Sequence, residues 1–434
     1  MGVDSRGRLA SPDSLNRAVD GRLRQDAIRR MAVDPLRHGL ADLLGDRLPG
    51  GRPRSLALLR TKYKPSRKLT AYYEISFGSG NAVKRHIAVS WFVQPPPGHP
   101  QITLLVSPAD PTMPQLARLS QPRHLAVLAA ELTGRPVEGA DQTSLDTIRY
   151  RPGQRHVLHA RFGRGRGGVY VKVDRESSGA RAVPVAELLA ATLSLRCPDV
   201  CVAEPIGYSR DDSAALWREA AGKPLSRLLI ARTTGLARTV ERVGRALRAV
   251  HDTPSCTRSH PALARIGSHD VRAEAASTLR AGEHITALLP SAGRSCDALV
   301  SDVVQGLGML PAEEAALSHG DFKSDNLLVH DDALRILDLD RFCWADPAMD
   351  LGKFLADLRW WCPLEAEAAA LAGAFRSGYG TCDPARWARA DLLAVLFQVK
   401  FAARRCAVHD ARWSMQVRTQ VDGAAAALAV ARGV

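Results

Sequence analysis

The sequence lacks long apolar segments and clustered cysteines, and both absences narrow what the chain can be. Its longest unbroken apolar run, Ala424 to Ala431, has eight residues, well short of the ~20 that a membrane-spanning helix needs. Residues 1–30 carry seven arginines and no apolar core segment, so no signal peptide is expected. Of the eight cysteines only Cys197 and Cys201 lie close together, which predicts reduced thiols and no zinc site. We therefore expect a cytoplasmic protein without a membrane partner.

Aromatic residues are scarce, and the positive charge comes mostly from arginine. Aromatic side chains make up 5% of the chain, and 50 of its 59 basic residues are arginine. The formal net charge is +14, and the excess precedes residue 301, because residues 301–434 hold 14 basic and 18 acidic side chains. An arginine-rich composition explains this excess, and so does an anionic partner such as ATP or an acidic peptide. No basic motif interleaved with aromatics is present, so no nucleic-acid partner is expected.

One stretch has the spacing that phosphoryl transfer requires. Ser318–Asn326 reads S-H-G-D-F-K-S-D-N, and Asp338 follows twelve residues after Asn326. This order of His-x-Asp, four residues, Asn and a later Asp is that of a kinase catalytic loop and its metal-binding Asp. One carboxylate must lie at the acceptor hydroxyl, while an amide oxygen and a second carboxylate hold Mg²⁺ against the ATP phosphates. The spacing therefore predicts Asp321 as the catalytic base and Asn326 and Asp338 as metal ligands.

These residues, with Asp346-Pro347 and Asp350-Leu351 after them, resemble the aminoglycoside phosphotransferase and choline kinase-like family. The resemblance covers residues 146–360 best and is weaker beyond them. It implies the protein-kinase-like fold, the roles given above for the catalytic loop, and a structural role for Asp350 in bracing that loop.

Three further residues of this region have expected roles. Lys323 departs from the family, because a lysine two residues after the catalytic Asp is commoner in protein Ser/Thr kinases, where it approaches the transferred phosphate. We count Lys323 among the catalytic residues. His319 is expected to brace the loop. Asp340 has two interpretations, as a ligand of a second metal ion or as a partner of neighbouring backbone.

The segment before the loop supplies the residues expected at the nucleotide. Lys172 lies inside the β-branched run Val169–Val173. The kinase lysine that contacts the α/β-phosphates lies in a strand of this kind, so we expect Lys172 to have that role. The alternative is that Lys172 is an exposed lysine on an edge strand. Glu187, fifteen residues on in a helical run, is the expected ion-pair partner of Lys172. The backbone of Pro152-Gly153 is expected over the phosphates. The segment from Ala220 to Leu225 resembles the hinge between the lobes in this family, and the backbone from Glu219 to Ala221 is expected to read the adenine edge.

A pattern in the first part of the chain recurs 87 residues later. Lys62–Lys68 and Arg149–Arg155 both read basic-Tyr-basic-Pro-x-x-basic, and strand-like runs follow each. Coincidence or convergent hairpins also explain two occurrences, but we favour a duplicated three-strand unit. The first copy has no lysine in its third strand, Ile87–Val93, so it is expected to be a structural or partner-binding copy without catalytic duty.

The elements together predict an α+β, bilobal protein-kinase-like fold with an N-terminal extension. The extension, residues 1–145, holds helices and the first β unit. Residues 146–225 form the small antiparallel β lobe that binds nucleotide, and residues 226–434 form the helical large lobe with the catalytic loop and the acceptor site.

The expected function is transfer of the ATP γ-phosphate, with Mg²⁺, to a hydroxyl of a small molecule such as an antibiotic, a sugar or choline. One alternative is a Ser/Thr kinase for a precursor peptide, as in lanthipeptide-type maturation. Lys323, the basic first 300 residues and the extra β unit favour this alternative. A second alternative is a nucleotide-binding pseudokinase scaffold, against which the intact Lys172, Asp321, Asn326 and Asp338 argue.

Overall fold

A computed structural model shows how the chain folds, and it describes residues 25–33, 55–77, 83–95, 97–98, 100, 102–137, 139, 143–163, 167–253 and 258–432. These residues divide into two units. The first holds the described residues up to Glu176, with Ala281–Arg294 and Ala402–Thr419; the second holds Ser177–Arg280, Ser295–Phe401 and the residues from Gln420 onward. In the described part of the chain, no helix has the length and apolar character needed to cross a membrane. The three-part division with boundaries at 145 and 225 stays a prediction.

Antiparallel strands dominate the first unit. Its elements are α1 (Gln25–Val33), β1 (Ser55–Lys64), β2 (Lys68–Phe77), β3 (Val83–Phe92), β4 (Ile102–Val106), α2 (Leu116–Leu119), α3 (Pro122–Thr133), β5 (Ser144–Arg151), β6 (Arg155–Arg161) and β7 (Gly168–Asp174). Strands β1 to β4 pair antiparallel in chain order, and β5 to β7 form an antiparallel meander. Helix α1 packs on the first sheet, where the Tyr73 hydroxyl donates to the Ala32 carbonyl at 3.0 Å. The other N-terminal helices predicted from the sequence fall outside the described residues.

The β1–β3 and β5–β7 meanders have the same first turn. In the turns Lys64–Arg67 and Arg151–Gln154, the N–H of the last residue donates to the carbonyl of the first at 3.1 and 3.0 Å. The third residue of each turn, Ser66 or Gly153, has a positive φ, 55° and 66° respectively. Proline at the second position favours this type of turn because its ring fixes φ. The shared Pro-containing motif therefore has a shared local structure.

The two meanders also have matching strand registers. One row of directly opposite residues crosses each meander, and these rows are Lys62, Thr70 and Ser90 in the first and Arg149, Val157 and Lys172 in the second. Ser90 therefore occupies in the first meander the position that Lys172 occupies in the second. Side chains at directly opposite positions lie on the same face of a sheet.

The remainder of the chain is mostly helical. Its elements are α4 (Gly179–Arg196), β8 (Val200–Val202), β9 (Pro205–Ser209), β10 (Ala214–Arg218), β11 (Lys223–Pro224), α5 (Leu225–Ala231), α6 (Leu236–His251), α7 (Val271–Leu288), α8 (Pro290–Gly308), β12 (Ala316–Ser318), β13 (Leu327–His330), β14 (Ala333–Ile336), β15 (Cys343–Ala345), α9 (Ala348–Trp361), α10 (Glu365–Tyr379), α11 (Pro384–Arg405) and α12 (Trp413–Arg432). Strands β11, β13, β14 and β8 pair in that order, and β12 pairs with β15. These two small sheets hold the ends of the loop His319–Asn326.

Candidate active site

The His319–Asn326 loop joins β12 to β13, and two short contacts tie it to the next loop. Strand β14 runs antiparallel to β13 and returns the chain to the end of the first loop. There the Leu337 N–H donates to the Asn326 carbonyl at 2.8 Å, and His319 Nε2 donates to the Leu337 carbonyl at 2.9 Å. Asp338 follows directly in sequence. The β13–β14 hairpin thus brings the backbone that carries Asp338 against the loop that carries Asp321 and Asn326.

The Asp321 carboxylate lies between two lysines. Lys323 Nζ donates to its Oδ2 at 2.6 Å, and Lys353 Nζ, from α9, donates to its Oδ1 at 3.3 Å. The Asn326 side-chain amide donates to the Asp321 carbonyl at 2.9 Å. Burial alone would raise the pKa of Asp321, but the charges of Lys353 and Lys323 outweigh burial and hold that pKa well below its usual range. Asp321 is therefore a carboxylate at every physiological pH.

The first half of the loop is braced by Asp350, as the family resemblance implied. The N–H groups of His319 and Gly320 donate to its two carboxylate oxygens at 2.6 and 3.0 Å. Gly320 has φ 72°, and a Cβ there would lie 2.3 Å from the Arg341 carbonyl oxygen, so only glycine fits this turn. His319 also braces the loop, because its Nδ1 accepts the Asp321 N–H at 3.2 Å.

Helix α9 supplies two further supports that the sequence patterns did not predict. Lys353 is 5% exposed, and its Nζ donates to the Gly320 carbonyl at 2.8 Å as well as to Asp321. Asp357 accepts the Ser324 N–H at 2.7 Å and so holds the second half of the loop. Asp350, Lys353 and Asp357 recur at helical spacing in α9 and are buried together with its apolar residues. That spacing is the sequence signal by which these two residues could have been found.

A second buried charge cluster lies close to Lys353. Glu274, 3% exposed, accepts hydrogen bonds from His269 Nε2 at 2.9 Å and from Lys400 Nζ. Burial favours a raised pKa for Glu274, but His269, Lys353 and Lys400 outweigh it and lower that pKa below its usual range. A cavity of about 10 Å³, lined by Glu274, Asp350 and Lys353 among others, adjoins the cluster; this is room for about one water molecule.

Comparison with known protein families identifies the chain. The sequence profile of a protein family described as the phosphotransferase enzyme family (APH) matches residues 156–393, which is more than half of the sequence. The chain belongs to this phosphotransferase family. The match contains the His319–Asn326 loop and its supports, so the resemblance found in the sequence is confirmed and the protein is a phosphotransferase enzyme.

Solved structures of other proteins bear on the fold of this phosphotransferase. Choline kinase from Cryptosporidium parvum Iowa II has 8% identity and a TM-score of 0.51, covering 71% of this chain and 96% of its own. Spectinomycin phosphotransferase APH(9)-Ia has 10% identity, a TM-score of 0.48, and covers 72% and 98%. A choline/ethanolamine kinase family protein from Mesorhizobium loti has 17% identity, a TM-score of 0.46, and covers 71% and 94%. A comparison with curated proteins found no match. The choline kinase similarity confirms the predicted α+β protein-kinase-like fold.

The donor set of the phosphotransferase suits a hard cation such as Mg²⁺. The side-chain amide N–H of Asn326 donates to the Asp321 carbonyl, so the side-chain oxygen of Asn326 is the atom that can bind a cation. Asp338 has φ 60°, a conformation that is uncommon outside glycine and is concentrated at functional sites. Asp340 follows in the short helical turn Leu339–Arg341. In the described residues no group of three or more His, Cys, Asp or Glu is arranged to hold a metal by itself; Mg²⁺ commonly takes one or two protein ligands and completes its shell with phosphates and water.

The residues predicted to bind nucleotide fall into both units. In the first unit, Lys172 lies in β7 and Pro152-Gly153 form the β5–β6 turn. The Gly153 N–H donates to Asp110 Oδ2 at 2.7 Å, so this donor, which we expected to face a phosphate, is already engaged. In the second unit, Glu187 lies in α4, and Glu219 and Ala221 lie between β10 and β11. The Lys172–Glu187 ion pair and the adenine contacts stay predictions.

Proposed function

We propose that this phosphotransferase moves the γ-phosphate of ATP to a hydroxyl group of a small molecule. The observation that carries the proposal is the Asp321 carboxylate, held ionised between Lys323 and Lys353 on the same loop as Asn326. An ionised carboxylate next to a cation-binding amide is what an incoming hydroxyl and a nucleotide require. We propose the cytoplasm as its location, because ATP is supplied there.

Asp321 acts mainly by orienting the acceptor hydroxyl. The same lysines that keep it ionised make it a weak base, so it accepts a hydrogen bond from the hydroxyl and takes the proton late in the reaction. Lys323 is 22% exposed and Lys353 only 7% at their side chains. Lys323 is therefore the lysine that can also contact the transferred phosphate, while Lys353 stays behind the loop and holds Asp321 in place.

The remaining residues bind the nucleotide and its cation. Asn326 and Asp338 would hold Mg²⁺, with Asp340 either as a further ligand or as a support for the backbone. Bound Mg²⁺ neutralises charge on the phosphates and so favours their transfer. Lys172, held by Glu187, contacts the α/β-phosphates, and the backbone from Glu219 to Ala221 binds adenine.

A second candidate function is phosphorylation of Ser or Thr in a peptide. The 2.6 Å contact between Lys323 and Asp321 favours it, because a lysine at this position is typical of protein Ser/Thr kinases. The names of the similar structures, choline kinase and spectinomycin phosphotransferase, favour small acceptors instead. Small molecules are therefore our first proposal and peptides the second.

An acceptor panel tests the proposal. Purified protein with Mg²⁺ and ATP is assayed for ADP release against aminoglycosides, nucleoside antibiotics, sugars, choline and Ser-rich acidic peptides. We expect acceptor-dependent ADP release with one small-molecule class, and release slower by about 10²-fold or more from Asp321→Asn. Release with peptides alone establishes the second candidate. If the protein binds ATP but no acceptor class stimulates release above the Asp321→Asn background, the transferase proposal is wrong and a scaffold role replaces it.

A further inference from the structure

One face of β1 carries a row of basic side chains. Arg60, Lys62 and Lys64 alternate with Thr61 and Tyr63, and the latter two are buried. Alternate residues of a strand share a face and lie ~6.6 Å apart. The three basic side chains therefore form a linear, half-buried row on the face opposite Thr61 and Tyr63.

Another cation of the same unit, Arg151, lies close enough to Lys62 to repel it electrostatically. Burial lowers the pKa of Lys62 to about 8, with added repulsion from Lys64, Arg60 and Arg151. Burial and the charges of Arg149 and Arg60 lower the pKa of Arg151 to about 9. Among the described residues, neither the row nor Arg151 has an ion pair with a carboxylate. Half-buried cations held this close together are stabilised when an anion joins them.

The matching registers of the two meanders show which face of the second meander corresponds to the face that carries the basic row. Lys62 lies in line with Thr70 and Ser90, just as Arg149 lies in line with Val157 and Lys172. The basic row is thus on the face that corresponds to the Lys172 face of the second meander. In the first meander the Ser90 and Thr70 hydroxyls instead bond to each other at 2.8 Å. The first meander keeps a cationic face and lacks the lysine expected to contact nucleotide.

We propose that the basic row of Arg60, Lys62 and Lys64, with Arg151 beside it, binds an extended acidic segment of a partner polypeptide. Among the described strands β1 pairs only with β2, so no described strand competes with a further strand for its other edge. Alternate carboxylates of an extended segment have the same ~6.6 Å spacing as the row. A small oxyanion would use only one or two of these cations. This inference stands whether the acceptor is a small molecule or a peptide, because it concerns docking in the first unit.

Peptide binding tests this inference without any catalytic readout. The probe is a fluorescein-labelled peptide of alternating glutamate and threonine, followed by anisotropy against the full chain; the matched peptide has glutamine for glutamate. We expect the glutamate peptide to bind, with an affinity that falls as salt rises, and the glutamine peptide to bind at least ~10-fold more weakly. Because each ion pair with a partly exposed cation contributes modestly, the triple variant R60Q/K62Q/K64Q should lose about threefold to a hundredfold in affinity.

A charge-matched control separates the row from net charge. Arg227→Gln, Arg238→Gln and Arg272→Gln together remove three exposed cations of the second unit, and this variant should bind the peptide like the wild type. Circular dichroism of both triple variants checks folding, and K62Q alone serves if the first triple variant does not fold. Equal loss in both triple variants, equal binding of the two peptides, or no binding overturns the inference. Tighter binding of a single-stranded oligonucleotide than of the glutamate peptide overturns the choice of a polypeptide partner.

Discussion

The β1–β3 and β5–β7 meanders share a turn and a strand register but differ at one chemically important position. Both begin with the same Pro-containing turn, and both align a basic residue of the first strand with the centre of the third. That centre is Ser90 in the first meander and Lys172 in the second. Turn chemistry and alternation set a shared backbone, while the side chain at this one position differs in charge. Each prediction below tests a matched pair of positions.

Among the matched pairs, the largest expected effect separates Lys172 from Ser90. Lys172→Met should lower kcat/KM for ATP by about 10²- to 10³-fold, as loss of one preorganised charge commonly does, whereas Ser90→Ala should leave it within about twofold. Steady-state kinetics with varied ATP measures both. A similar loss in the two variants would show that the meanders do not differ in function, and an unchanged Lys172→Met would remove Lys172 from the nucleotide site.

A buried histidine makes the second meander sensitive to acid. His156 is buried, and its Nε2 bonds to the Ser107 hydroxyl at 3.0 Å; burial, with a contribution from His86, lowers its pKa to about 4. The equivalent position of the first meander is Leu69, which is fully buried. Because the unfolded chain takes up the proton near pH 6.5, this contribution to stability is full above that pH and is lost as pH falls towards 4.

The matching substitution is His156→Leu. Between pH 7 and pH 4 the wild type should lose up to about 3 kcal/mol of unfolding free energy through His156, and the variant should not show this part of the loss. Urea unfolding at a series of pH values measures the effect. His284, whose pKa burial also lowers to about 4, should keep part of the acid sensitivity. An identical pH profile for the variant and the wild type would contradict the burial of a neutral His156.

Two buried lysines form a second matched pair. Lys353 bonds to Asp321, whereas Lys400 bonds to Glu274 and to the Ser277 hydroxyl at 3.1 Å. A hydrogen bond to a charged group contributes ~1.5–3 kcal/mol, so Lys353→Met should lower kcat by about tenfold to a hundredfold with little change in KM for ATP. Lys353→Arg should keep part of the kcat that Lys353→Met loses.

Lys400→Met is the control for this pair. It should lower thermal stability, because it leaves a buried carboxylate without one of its partners, while kcat of the folded enzyme stays within a few-fold of the wild type. If both methionine variants lose stability and neither lowers kcat, Lys353 supports the fold only and does not position Asp321.

The smallest expected effect compares the two turns. Gly153→Ala places a Cβ on a residue with φ 66° and 3.3 Å from the Thr112 hydroxyl, which should cost roughly 1–2 kcal/mol. Ser66→Gly, at the equivalent position, relieves the same strain and should not destabilise the chain. Chemical unfolding midpoints report both values. Equal destabilisation by the two variants would show that the turns are not equivalent.

The sequence predicted what depends on local spacing. The His319–Asn326 loop and the repeated turn are each set within a few residues, and Asp338 follows at a fixed distance, so Asp321, Asn326 and Asp338 could be recognised as a pattern. The helical spacing within α9 marks Lys353 as a candidate, but its contact to Asp321 and the contact of Glu274 to Lys400 could not be predicted, because they join residues 32 and 126 positions apart. The Asp110 contact to the Gly153 N–H was missed for the same reason. Tertiary packing decides these contacts, and spacing carries little information about them.

The central claim is that Asp321 receives the acceptor hydroxyl while other residues bind the nucleotide, and one variant tests it most directly. For Asp321→Asn, nucleotide affinity by calorimetry and turnover in the acceptor assay are measured on the same preparation. We predict affinity within about threefold of the wild type and turnover lower by about 10²- to 10⁴-fold. Turnover close to that of the wild type, with the fold intact, would contradict the account.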